Sequence, residues 1–179
     1  QELVDNIIAP FCDCTDASII GCWGVTEPDH GSDTLMTHHP VFHDPGIKGQ
    51  CRASLEGDEW VINGQKASWV SAGTIATHCS LFCTLDISMG LAGGGIAIVP
   101  LDLPGVSKGE PLNKIGQRDL NQGELFFDNV RIPKSYMLVG TDLYEAMVEL
   151  TLSTTTALMG MLGTGIAQAA FEESLEYAK

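Results

Sequence analysis

The chain has 179 residues, one domain or one and a half at about 100–200 residues per domain. Hydrophobic residues make up 44% and charged residues 18%, which is enough apolar material for a core and too little charge for a disordered chain. Nine Lys and Arg stand against 23 Asp and Glu, a net charge of −14. That balance argues against a general nucleic-acid or anionic-membrane binder, while leaving room for one local basic pocket for a phosphate-bearing ligand.

Six cysteines (Cys12, Cys14, Cys22, Cys51, Cys79 and Cys83) include no Cys-x-x-Cys pair. They are expected to be reduced thiols of an intracellular protein, most of them packed as small hydrophobes. Cys12 and Cys14 with His38, His39 and His43 do not define a tetrahedral ligand set, so no metal is expected.

In chain order, residues 1–17 read as the tail of a preceding domain. From Ile19 onward, apolar β-formers recur in short runs split by turn residues. Ile19–Val25 is the first run. Cys51–Leu55 and Trp60–Asn63 flank Glu56-Gly57-Asp58 as a hairpin, and Asn63-Gly64 is a second turn signal before Lys66–Val70. Leu81–Leu85 and Ile96–Leu101 follow, joined by a Gly-rich stretch over Gly90–Gly95 that reads as a flexible hairpin loop. Leu125–Phe127 and Val130–Ile132 close the series before Pro133. The texture predicts a barrel or sandwich.

Beyond Pro133 the texture turns helical. No proline occurs from Leu143 to Lys179, and no charge from Leu150 to Phe171. Ser and Thr in that window, with Gly160, Gly163 and Gly165, favour a helix buried among other helices over a membrane span. A lone apolar helix after a β-domain predicts that the chain is a piece of a larger protein.

Three stretches concentrate polar and aromatic groups. Trp23–Asp33 carries an aromatic residue and a Thr into a loop bent by Pro28 and Gly31. Asn63–Gly73 places Trp69 and Ser71 on one strand face by the two-residue period, a flat aromatic beside a hydroxyl that suits a planar cofactor. Lys114–Arg118 precedes the strand 125–133. The Gly90–Gly95 run lacks the spacing of a phosphate loop.

The motifs "VTEPDHGSD" (25–33), "WVINGQK" (60–66), "WVSAG" (69–73), "IAIVPLDLPGV" (96–106), "KIGQR" (114–118), "LFFDNVRIP" (125–133) and "GIAQAAFEESLEYAK" (165–179) occur in one order. In them the chain resembles the acyl-CoA dehydrogenase family of flavoproteins. The likeness runs from about Ile19 to Lys179.

The resemblance implies an α+β architecture: an antiparallel β-barrel-like middle domain followed by the first helix of a C-terminal helical bundle. Residues 1–17 would be the remnant of an N-terminal helical domain, 18–134 the flavin-facing β-domain, and 135–179 the start of the C-terminal domain. FAD is the implied cofactor, with Trp23, Val25, Thr26, Gly31, Ser32, Trp69 and Ser71 as its binding residues. Ser32 would also hold the pantetheine arm of an acyl-CoA substrate.

The implied reaction is α,β-dehydrogenation, with electrons passing to an electron-transfer flavoprotein. A homo-oligomer is implied, and a cytoplasmic location, or the mitochondrial matrix in a eukaryote. An acyl-CoA oxidase or flavin monooxygenase of the same fold is the alternative enzyme, and a non-catalytic β-domain used in assembly the third reading.

The catalytic carboxylate of the family is expected outside this chain, so no residue here is assigned that role, and the chain by itself is expected to be inactive and to bind FAD weakly at best. Ser153-Thr154-Thr155-Thr156 stands uncharged where the family often carries an Asp and an Arg toward CoA. Met36–Gln50 is longer than the usual connection, and one extra residue separates Lys66 from Trp69.

Overall fold

A computed structural model describes residues 1–179, which divide into two compact units, Gln1–Glu145 and Ala146–Lys179. The first unit holds eight strands: β1 (Gly21–Gly24), β2 (Arg52–Glu56), β3 (Glu59–Ser71), β4 (His78–Thr84), β5 (Gly94–Pro100), β6 (Val106–Lys108), β7 (Gln122–Pro133) and β8 (Met137–Val139). The predicted hairpin at Glu56–Asp58 joins β2 to β3, whose pairing runs from Arg52 opposite Asn63 to Glu56 opposite Glu59. The sheet order is β6-β7-β3-β2-β4-β5-β8, with β1 against β4.

The sheet corrects two expectations. It is not closed into a barrel, because β6 and β8 end the path unpaired to each other. It is also not purely antiparallel: β1 runs parallel to β4, with Cys22 opposite Cys79 and Trp23 opposite Ser80, and Arg52 of β2 bridges Thr84 of β4 in parallel. The connections that enter β4 are long, which parallel pairing requires.

Asn63-Gly64 is not a turn. It continues within the 13-residue β3 and faces a bulge of β7: Ile62 pairs with Val130 and Gly64 with Phe127, so Asn63 lies opposite both Asp128 and Asn129. Gly64 has φ +135°, and its Cα lies so close to Cys51 that a Cβ would meet the Cys51 Cα at 2.5 Å. The Asn63 side-chain carbonyl accepts from the Asn129 amide at 2.9 Å, so the side chain bridges the irregularity. A second shift between Lys66 and Val70 takes up the extra residue there, with Ser68 at φ +21°.

The Gly-rich stretch is not a flexible loop either. Ile87–Gly93 forms a 3-10 segment whose Gly90, Leu91, Ala92 and Gly93 are buried, and the Gly93 carbonyl accepts from the Leu85 and Asp86 amides at 2.8 and 2.9 Å. Apolar packing and two backbone hydrogen bonds pin it.

The core lies on one face of the sheet: Cys22, Ile62, Val70, Cys79, Leu81, Val99, Leu125 and Ile132 belong to one cluster. Residues 2–13 are helical, Val4–Ile8 as a π turn and Ala9–Asp13 as α1, and Leu3 and Ile7 join that cluster. Cys22, Cys51, Cys79 and Cys83 are buried as expected, but Cys12 is exposed and Cys14 half-buried.

The helix α2 (Thr141–Tyr177) begins in the first unit and forms the whole of the second. Its apolar residues Leu158, Met159, Met161, Leu162 and Ile166 are exposed. By length and composition alone it could cross a membrane, at a mean hydropathy of 1.2. Thr151, Thr155 and Thr164 turn their hydroxyls back to the carbonyls four residues earlier, which hides much of their polarity from the helix surface.

Candidate flavin site

The segment that follows β1 is fixed to β3 by four hydrogen bonds. The Ala67 amide donates to the Thr26 carbonyl at 3.0 Å, and the Thr26 hydroxyl donates to the Ala67 carbonyl at 3.2 Å. Lys66 Nζ donates to the Val25 carbonyl at 2.9 Å and to Glu27 Oε1 at 2.7 Å. Residues about forty positions apart are thereby side by side.

The Glu27–Lys66 pair is almost fully buried, at 4% and 2% side-chain exposure. Such a pair persists only when its remaining hydrogen-bonding capacity is met. Glu27 meets this condition by also accepting from the Gln50 and Cys51 amides. One carboxylate thus joins three segments: the loop after β1, the entry to β2 and the middle of β3. The sequence reading missed this pair. The available signal was the two-residue period of β3, which puts Lys66 on the same face as the core residue Ile62 and therefore demands a buried anion.

Beyond Glu27 the loop is shaped by its own side chains. Asp33 Oδ1 accepts from the Gly31 amide at 2.7 Å, and Asp33 Oδ2 pairs with His30 Nδ1 at 2.7 Å. His30 Nε2 lies 2.9 Å from the Lys48 carbonyl. Burial disfavours the charged imidazole, but Asp33 and the Lys48 carbonyl outweigh it, so the His30 pKa lies above 6.5. For Asp33, burial acts upward, yet the His30 and Gly31 hydrogen bonds win and its pKa falls below 3.8. Ser32 is exposed at the start of the 3-10 turn Ser32–Leu35.

The two tryptophans are unusually open: Trp69 is 62% exposed and Trp23 42%. Trp69 and Ser71 both meet Gln122, whose Nε2 donates to the Trp69 carbonyl at 3.3 Å and the Ser71 hydroxyl at 3.1 Å. The Ser71 oxygen is an acceptor in that bond, which leaves its proton to donate elsewhere. A cleft of about 520 Å³ lies beside Trp69, walled by Ser68, Asn113, Lys114, Ile115 and Gly116. Its size is that of a small-molecule site, about 300–1,000 Å³. Lys114 Nζ is tied to the Leu120 carbonyl at 2.6 Å and Gln122 Oε1 at 2.9 Å, which anchors the loop forming that wall.

The predicted residues are therefore drawn together in part. Thr26 is joined to β3 at Ala67, two positions from Trp69. Trp23, Thr26, Gly31 and Ser32 do not line the Trp69 cleft. The Val25 side chain is buried toward a small cavity with Glu27, Lys66, Phe82 and Tyr144, so only its backbone edge is left for an outside ligand. Trp23 packs edge-on to Phe82, with ring centroids 5.7 Å apart. No group of three or more His, Cys, Asp or Glu is placed to hold a metal ion.

Residues 22–130 match the family described as acyl-CoA dehydrogenase, middle domain. Over all 179 residues the chain is 31% identical to the mitochondrial short-chain specific acyl-CoA dehydrogenase of Bos taurus, and it covers 40% of that protein. Among solved structures it is similar to the glutaryl-CoA dehydrogenase of Mycobacterium smegmatis, with a TM-score of 0.59 and 31% identity over 78% of this chain and 31% of that one. It is also similar to the prolyl acyl carrier protein oxidase AnaB, with a TM-score of 0.65 and 26% identity over 83% of this chain and 36% of the other. The chain thus spans about two fifths of the length of the curated relatives it matches.

Proposed function

Because the chain belongs to the acyl-CoA dehydrogenase family, we propose that residues 18–134 form the flavin-facing β-domain of an FAD-dependent enzyme that oxidises an acyl-CoA thioester to its α,β-unsaturated product. Residues 1–17 close an N-terminal helical domain in this reading, and 135–179 open a C-terminal one. The observation that carries the reading is the anchoring of Val25, Thr26 and Glu27 on Lys66 and Ala67, which supports a single face built from two distant motifs.

The residues fit a flavin in kind. Open Trp69 and Trp23 rings offer flat apolar surface, and the Ser71 proton is available to a ring nitrogen. Thr26 holds the ring edge, the backbone of Val25 lines it, and Gly31 and Ser32 take the outer part of the cofactor, with Ser32 also on the pantetheine arm. FAD, when bound, supplies the two-electron acceptor for the β-hydrogen.

The chain's own residues bind and orient; none is assigned the α-proton. Glu27 already neutralises Lys66 and accepts from two amides, and Asp33 is engaged with His30 and the Gly31 amide. The base is a carboxylate outside this chain. In the whole protein, electrons pass to an electron-transfer flavoprotein, the assembly is a homo-oligomer, and the location is the cytoplasm or, in a eukaryote, the mitochondrial matrix.

A second reading, an oxidase of the same fold, is favoured by the uncharged 153–156 stretch and by the likeness to the carrier-protein oxidase. The Ser153 and Thr154 hydroxyls both donate to the Leu150 carbonyl, so neither proton is free for CoA.

The test is to purify the whole protein to which this chain belongs, look for bound flavin, reduce it with an acyl-CoA in the absence of oxygen and then admit air. Bleaching that persists in air, with turnover on a dye acceptor, supports the dehydrogenase. Immediate return of colour with peroxide release points to the oxidase. A colourless protein that takes up no FAD contradicts both.

A further inference from the structure

We infer that Phe42, on the 3-10 turn Pro40–His43 of the lengthened connection 36–50, is a positioning residue that sets the orientation of the Trp23 indole. The inference rests on the reading of Trp23 as part of the flavin face. It starts from a continuous column of rings on the side of the sheet away from the main core. Phe42 is fully buried and stacks on Tyr144, with centroids 6.5 Å apart and planes 5° from parallel. Tyr144 meets Phe82 edge-on at 6.0 Å and 65°, and Phe82 meets Trp23 at 5.7 Å and 72°. Each step lies in the range where aromatic pairs prefer offset or edge-to-face contact.

The column has no slack at its middle. A Cβ at Gly94 would fall within the Tyr144 ring, so β5 presses on that ring from the side. Phe82 is held by its place in β4, and Trp23 by its pairing with Ser80. Phe42 closes the far end. Its own segment is fixed by the Val41 amide on His39 Nδ1 at 3.2 Å and by the Ile47 amide on the Asp44 carbonyl at 2.9 Å. A Cβ at Gly90 would strike the Asp44 backbone, so the buried 3-10 segment and the lengthened connection are in close contact. His43 packs on Phe42 at 5.6 Å and reaches Glu145 at 3.5 Å.

Trp23 is the one ring of the column that is open to solvent, so what the buried rings fix is the pose that it offers to a ligand. The lengthened connection thereby acquires a role: it delivers one phenyl ring to the base of a stack that ends at the site. Leucine at position 42 fills most of the space but cannot stack on Tyr144, so the Tyr144 ring tilts toward position 42 and the edge contacts to Phe82 and then Trp23 shift with it.

The experiment labels the chain with 5-fluorotryptophan and assigns the Trp23 fluorine resonance by its loss in Trp23→Phe. Phe42→Leu is expected to shift or broaden the Trp23 resonance and to leave those of Trp60 and Trp69 in place. Val99→Ala, a truncation in the main core, is expected to leave all three unchanged. FAD is then titrated, and Phe42→Leu is expected to weaken its binding about 5-fold, the effect of roughly one aromatic pair. A Trp23 resonance that is unmoved in Phe42→Leu, or moved equally by Val99→Ala, overturns the inference. If Phe42→Leu moves Trp23 while FAD perturbs no resonance of the unsubstituted chain, Phe42 still positions Trp23 and the flavin reading falls alone.

Discussion

Replacing Lys66 by methionine tests the anchor of the site. The side chain keeps its length and loses its charge. Lys66 Nζ donates to Glu27 at 2.7 Å and to the Val25 carbonyl at 2.9 Å, both in a nearly solvent-free setting. The substitution leaves Glu27 with the Gln50 and Cys51 amides but without a counter-charge, and leaves the Val25 carbonyl without a donor. Removing one partner of a buried pair costs about 3–5 kcal/mol. At about 2–4 °C per kcal/mol for a protein of this length, the melting temperature falls by about 6–20 °C. The assay is thermal unfolding followed by circular dichroism, with a urea series to check that the slope is unchanged. Glu27→Gln alone is expected to cost a similar amount, and the double variant Glu27→Gln/Lys66→Met less than the sum, because neither charge is then left alone. A Lys66→Met protein within about 0.5 kcal/mol of the original would refute the reasoning, since that is the range of an exposed surface change.

Three further outcomes are expected. In an NMR titration His30 has a pKa above 6.5, and Asp33→Asn lowers it, because burial remains when the carboxylate is gone. The sign follows for stability: the raised His30 favours the fold at low pH and loses its contribution as pH rises through its folded pKa, while the depressed Asp33 contributes above 3.8 and is lost as pH falls through its folded pKa. Protection of the Gly31 amide, taken relative to the intrinsic exchange rate at each pH, is therefore greatest in the window between the two. Iodoacetamide near neutral pH labels Cys14, whose thiol Ser18 and the Ile19 backbone hold below the ordinary value, well before Cys51, pushed up to about 11 by burial; peptide mass mapping reads the order, and faster labelling of Cys51 would contradict it. Gly64→Ala lowers stability by about 1–3 kcal/mol in urea unfolding, because the left-handed backbone and the Cys51 Cα leave no room for a methyl group.

Legibility in the sequence followed the range of the interactions. Local signals were read correctly at the Glu56-Gly57-Asp58 hairpin, the strand ending at Pro133 and the long helix, which match β2–β3, β7 and α2; the β series itself runs past Pro133, because β8 (Met137–Val139) pairs with β5 before α2 begins. Signals that depend on a partner strand were not. Asn63-Gly64 has the composition of a turn, but it stays in strand because β7 bulges opposite it at Asp128 and Asn129, the latter at φ +52°. The parallel pairing of β1 with β4 joins residues 57 positions apart, which no local pattern encodes. At the site, the exposed Trp69 and the neighbouring Ser71 were visible as one strand face. The Glu27–Lys66 pair and the column from Phe42 to Trp23 were not, because each needs the tertiary neighbour to be known first.

In the proposed function, this β-domain presents a flavin-binding face built from the segment after β1 and the end of β3. The measurement that tests it most directly is an amide chemical-shift titration of the isotopically labelled 179-residue chain with FAD. Saturable shifts are expected at Trp23, Thr26, Gly31, Ser32, Trp69 and Ser71, together with loss of the response at 26–32 in Trp69→Ala. Shifts confined to other parts of the sheet, or none at millimolar FAD, would contradict it.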